Sequence, residues 1–183
     1  MKYTHRLNAF KPTTTWEVVD GGLSWTDDKG GAGEIPWAKI KSVRLRMEPS
    51  KAESRRVALH VYTPRDHAIT NIDYRGPLTF NVQRDEFRDF VTAFHKGFPA
   101  DTATVFHKGS TRAAYIGNIL ISLGLFAFIF FLAPLLSLTG VPSAGSILRI
   151  VTIIILIPIL LSMLIKNKPA TYDPDDIPME MLK

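Results

Sequence analysis

Five histidines and no cysteine are what this 183-residue chain offers for metal ligation or proton transfer. A zinc site needs three or four closely placed ligands, and His5, His60, His67, His95 and His107 show no such spacing. His60 and His67 are placed to approach each other across a turn at residues 63–66, but a pair without a third ligand makes a weak site, and plain strand-surface residues are the simpler reading. Paired acids occur at Asp27-Asp28 and at Asp173, Asp175 and Asp176, in polar segments where nothing would raise a carboxyl pKa toward general-acid range. Phosphate-binding glycine loops, a Gly-x-Ser-x-Gly elbow and a His-Glu-x-x-His helix are all missing from the sequence. The expectation is a non-enzymatic chain with no catalytic residues, no cofactor and no metal.

Basic residues are the stronger lead. Lys39, Lys41, Arg44, Arg46, Arg55 and Arg56 cluster in sequence. Val43, Leu45 and Met47 alternate with Ser42, Arg44 and Arg46, the period of a half-buried strand with a basic outer face. Arg55 and Arg56 open the next strand, so antiparallel pairing would bring the four arginines to one end or face. Anionic headgroups are the partner such a face suits, with a protein partner or second copy of the chain beside them, while a merely solvated strand face is the plainer and slightly favoured reading of the pattern. Nucleic acid fits less well, because the aromatic residues alternate inward and leave no stacking platform.

The elements that must carry these residues are short strands followed by a helix. Residues 16–19 and 23–25 flank Asp20-Gly21-Gly22, a hairpin signal that rests on glycine accepting positive φ. Further strand patterns fall at 43–47, 56–62, 68–74 and 78–82, while the N-terminus starts on the polar stretch MKYTHRLNAFKPTTT. From 83 to 96, Phe87, Phe90, Val91 and Phe94 form one helical stripe, a core-facing pattern ended by Gly97 and Pro99. The fold class expected is a mainly β N-terminal domain, an antiparallel meander curling into a sandwich or small barrel and closed by one helix, followed by a two-helix hairpin.

That hairpin is read from hydropathy. Residues 113–148 carry no formal charge, and a second apolar run reaches residue 165. About 20 apolar residues suffice to span a bilayer, so 113–133 and 147–165 are predicted as transmembrane helices joined by a turn at 134–146. Lys108, Arg112, Lys166 and Lys168 flank the spans and the turn is uncharged, which by the positive-inside rule puts both termini in the cytoplasm of a multi-pass inner-membrane protein. Arg149 reads as snorkelling to the far headgroups. On the first span, Gly117, Asn118, Ser122 and Gly124 share a face suited to close helix packing. The organisation expected is a domain over 1–98, a linker over 99–112, the hairpin over 113–165 and a disordered tail over 166–183, whose prolines and acids lack core-forming character.

The Ile35-Pro36-Trp37 turn with Ile40, the Asp20-Gly21-Gly22-Leu23 hairpin and the closing helix together resemble bacterial pleckstrin-homology-like domains, over about residues 10–98. The added hairpin resembles small bacterial membrane proteins that carry such domains. What the resemblance implies is a binding or scaffolding module held at the inner leaflet, contacting anionic lipid or protein. The alternative is an accessory subunit of a larger inner-membrane complex in transport or envelope assembly.

Overall fold

The computed structural model describes residues 1–48, 56–77, 79–100, 102–137, 154 and 157–182. These form two units, one of residues 1–109 with 170–183 and one of residues 110–169.

The first unit is mainly β. Strands β1 (Lys2–Arg6), β2 (Thr13–Val19), β3 (Gly22–Asp27) and β4 (Ala32–Pro36) make an antiparallel four-stranded sheet in chain order. A 3-10 turn, Trp37–Lys39, leads into β5 (Ser42–Met47), which pairs with β6 (Val57–Tyr62) and through it with β7 (Asp66–Thr70). Strands β8 (Ile72–Gly76) and β9 (Thr79–Val82) form a separate hairpin. Helix α1 (Arg84–Gly97) follows and turns Phe87, Phe90, Val91, Phe94 and His95 inward. Fully burying such side chains contributes about 1.5–3 kcal/mol each. The core they enter joins Tyr3, Trp16, Leu23 and Ile35 of the first sheet to Val43, Leu45, Leu59, Val61 and Ile69 of the second.

Several local expectations change. The polar N-terminus is a strand, because Tyr3 and His5 point inward while Lys2 and Thr4 point out. The predicted strand over 68–74 breaks at buried Asn71, whose carbonyl-side oxygen accepts from the Val57 amide at 2.9 Å and so turns the corner between β7 and β8. Among the described residues the positive-φ glycines are Gly30 and Gly109, not those of the first hairpin. Gly22 is needed for space instead, since a Cβ there would collide with the Ile35 carbonyl across the β3–β4 ladder.

The expected linker and tail are also corrected. Residues 105–108 form β10 (Val105–Lys108), parallel to β5, and β11 (Ala170–Thr171) pairs antiparallel with β10. The five-stranded sheet therefore runs β11-β10-β5-β6-β7. Past β11, Tyr172 and Ile177 pack on the core, and Met181 and Leu182 are buried within it. Burial of those apolar groups offsets the ordering cost that the tail's polar composition suggested it could not meet.

The membrane hairpin is not supported. In the second unit, α2 (Arg112–Ser137) starts after Thr111, whose hydroxyl accepts from the Ala114 amide at 3.2 Å, and α3 (Ile157–Lys166) has 10 residues. At 1.5 Å per residue α3 covers about 15 Å, half of a hydrocarbon layer of about 30 Å. Among the described residues no helix is long and apolar enough to cross a membrane. The fold class of a β domain plus transmembrane hairpin is thus corrected to a mainly β unit and a separate helical unit. The multi-pass inner-membrane placement, with both termini cytoplasmic, loses its basis with the hairpin. Arg149 and most of the expected turn at 134–146 lie outside the described residues.

Candidate functional site

The basic set divides in two once β5 and β6 are paired. Alternation along β5 buries Val43 and Leu45 and leaves Arg44 and Arg46 on the opposite face. In register, Arg44 lies across from His60 on one side and His107 on the other, and Arg46 lies across from Ala58. The Arg44 guanidinium donates to the Gly109 carbonyl at 3.3 Å, which ties β5 to the end of β10.

Glu48 organises the rest. Its Oε1 accepts from Arg46 Nε at 2.6 Å and from His60 Nε2 at 2.9 Å, and its Oε2 lies 3.6 Å from Arg56. On the other side of the ring, His60 Nδ1 is 3.0 Å from both oxygens of Asp66. Burial alone would push the Glu48 carboxyl up, but the His60 hydrogen bond and the Arg46 charge outweigh it and hold the group at about 2. An anion approaching Arg46 and Arg56 must compete with this carboxylate, so the arginines do not act as an open basic patch. His60 and His67, which the sequence reads as strand-surface residues that a turn could bring together, do not approach each other. Val61, not His60, faces His67 in the ladder, so the two rings project from opposite faces, and His67 stands edge-on to Trp16 at 5.9 Å.

Glu48 was the residue that sequence reading missed. It was legible only as part of a polar loop, although its place one residue beyond the alternating β5 pattern puts it on the end of the strand. Arg55 lies outside the described residues.

Lys39 and Lys41 stay exposed, one at the end of the 3-10 turn and the other just before β5. Beside them is a cavity of about 470 Å³ lined by Trp37, Ala38, Ile40, Lys41, Thr102, Ala103 and Thr104. It forms where the chain entering β5 and the chain entering its parallel neighbour β10 diverge. Thr104 Oγ1 donates to the Ile40 carbonyl at 2.7 Å and fixes that mouth, while Thr102 Oγ1 donates to the Pro99 carbonyl at 2.9 Å. Trp37 forms a buried wall, held by Nε1 donating to the Asp20 carbonyl at 3.1 Å and by edge packing on Phe94 at 5.4 Å.

On the helical unit, Gly117 and Ser122 are half-buried while Asn118 and Gly124 are exposed. A Cβ built on Gly117 or Gly124 meets nothing within 4 Å, so among the described residues neither glycine serves a close helix approach. Among the described residues no group of three or more His, Cys, Asp or Glu side chains is placed to hold a metal ion.

Fold and site together define a mainly β domain with a carboxylate-bridged basic sheet face and a lysine-edged apolar cavity. Comparison with known proteins adds no name to that class, since no family model, curated protein or solved structure matches the chain.

Proposed function

We propose that the chain is a non-enzymatic binding module of the pleckstrin-homology-like kind, which engages an acidic group of a protein partner at the edge formed by Lys39 and Lys41. The observation that carries this reading is the partition of charge around β5. Arg46 and Arg56 are committed to Glu48, whereas Lys39 and Lys41 project from the surface beside a cavity with an aromatic wall. Charged groups at such a rim steer encounter and select partners more than they add affinity. Arg46, Arg56 and His60 share the one Glu48 carboxylate, which suits a rigid platform rather than a reacting centre.

The test is quantitative co-purification from native extract, comparing the parent chain with the Lys39→Glu, Lys41→Glu double variant. Loss of the same protein partner from the double variant supports the reading. Undiminished retention by a folded double variant refutes it. An isolated gain or loss of binding to anionic vesicles would assign the lysine edge to headgroups instead and also refute the protein-partner reading.

A further inference from the structure

We propose that the cavity at the mouth of β5 and β10 receives the C-terminal residue of a partner polypeptide, its free carboxylate on Lys41 and its apolar side chain against Trp37 and Ile40. This rests on the binding-module reading and names the end of the partner that is read. The chemistry of the lining leads there. Trp37, Ala38, Ile40 and Ala103 give an apolar wall, and Lys41 is the cation among the lining residues. Ligand sites have this composition, a largely apolar surface with a few polar groups that fix orientation.

The two threonines refine the choice. Each has spent its hydroxyl proton on a backbone carbonyl, Thr102 on Pro99 and Thr104 on Ile40. What each presents to an occupant is therefore acceptor lone pairs. A fitting ligand carries a carboxylate for Lys41, an N–H donor next to it for a threonine oxygen, and a compact apolar group. The last residue of a peptide has all three on one α-carbon. A free carboxylate also differs from an acidic side chain in this respect, because Asp and Glu place their backbone N–H further away.

Size points to a peptide end rather than a lone amino acid. A space of about 470 Å³ lies within the range of about 300–1,000 Å³ usual for ligand pockets and exceeds what one amino-acid residue fills. Capture of a C-terminal carboxylate is an established mode of peptide recognition, and the lysine edge already argued to meet the partner stands at the entrance.

Calorimetry on the full chain tests this with three probes, the peptide acetyl-Ala-Ala-Leu with a free carboxylate, its C-terminal amide, and N-acetyl-leucine. Binding of the free-acid peptide in the range of about 0.1–1 mM is expected, with the amide weaker by about tenfold or more, the loss of one charge-assisted contact. Lys41→Gln should weaken the free acid by a similar factor and leave the amide unaffected. Ala103→Phe, at the exposed part of the apolar wall, should block both while leaving the unfolding midpoint unchanged. Equal binding of acid and amide, or no binding by the parent chain, overturns the proposal, and so does N-acetyl-leucine binding as tightly as the peptide. A parent chain that ignores the peptides yet loses its native partner in the Lys39→Glu, Lys41→Glu variant sinks this proposal alone and leaves the binding-module reading standing.

Discussion

Two buried histidines should make the β unit acid-labile well above the pH at which its carboxylates protonate. His5 and His95 are each nearly inaccessible to solvent, and burial lowers both from an ordinary 6.5 to about 4. For His5 the Arg56 charge adds to the burial, and among the described residues neither ring nitrogen has a hydrogen-bond partner. His95 is arranged for the neutral ring, with Nδ1 donating to the Val91 carbonyl at 2.7 Å and Nε2 accepting from the Tyr172 hydroxyl at 2.8 Å. Because the folded pKa lies below the unfolded one, the unfolded chain binds more protons between pH 4 and 6.5. The histidines therefore make stability fall as pH drops through that window, and their effect is complete below it. A depression of about 2.5 units at about 1.36 kcal/mol each corresponds to about 3 kcal/mol per histidine, a large share of a typical total of 5–15 kcal/mol.

Guanidinium unfolding of the full chain, followed by tryptophan fluorescence, measures this directly, since Trp16, Trp25 and Trp37 all belong to the β unit. The expected unfolding free energy is constant above about pH 7 and declines most steeply near pH 5, by up to about 2.7 kcal/mol per pH unit for two protons. His5→Leu should remove about half of that slope and, by filling an apolar environment without an unpaired ring nitrogen, should raise stability at pH 5. Parallel curves for parent and His5→Leu, or a flat curve between pH 6.5 and 4.5, would refute the assignment.

Other consequences are equally open to measurement. Glu48→Gln, which leaves Arg46, Arg56 and His60 without their shared carboxylate, should cost about 1–3 kcal/mol at neutral pH in denaturant unfolding, less than a fully buried pair because these groups keep some solvent. Since that carboxyl is held at about 2 rather than 4.5, its contribution should disappear only as pH falls through about 4 to 2, a window distinct from that of the histidines. Met181→Ala should cost about 2–5 kcal/mol and Tyr172→Phe about 1 kcal/mol, and removal of residues 170–182 should raise hydrogen exchange in α1 and β10; an unaltered exchange pattern would count against the docked tail. Gly22→Ala should destabilise by about 1–3 kcal/mol through its collision with the Ile35 carbonyl, and a wild-type unfolding midpoint for that variant would contradict the close β3–β4 approach.

Local pattern determined a good deal by itself. The alternation of Val43, Leu45 and Arg44, Arg46 settled which side of β5 faces inward, because strand side chains have a period of two. The 3.6-residue stripe of Phe87, Phe90, Val91 and Phe94 marked α1 and its buried face for the same kind of reason. Neither depends on distant residues. Partners far apart in sequence were decided only by the fold. Glu48 meets His60, the tail meets β10, and Thr104 meets Ile40 across separations that no periodicity encodes. Hydropathy over 113–165 pointed to a membrane hairpin that the structure does not support, since it measures how little a segment gains from water and not which elements the segment forms. The tail erred in the opposite direction, its sparse apolar residues Tyr172, Ile177, Met181 and Leu182 being too widely spaced to signal a core on their own. They are buried because the first unit supplies the surface they lack, and a sequence read segment by segment has no term for a surface built elsewhere in the chain.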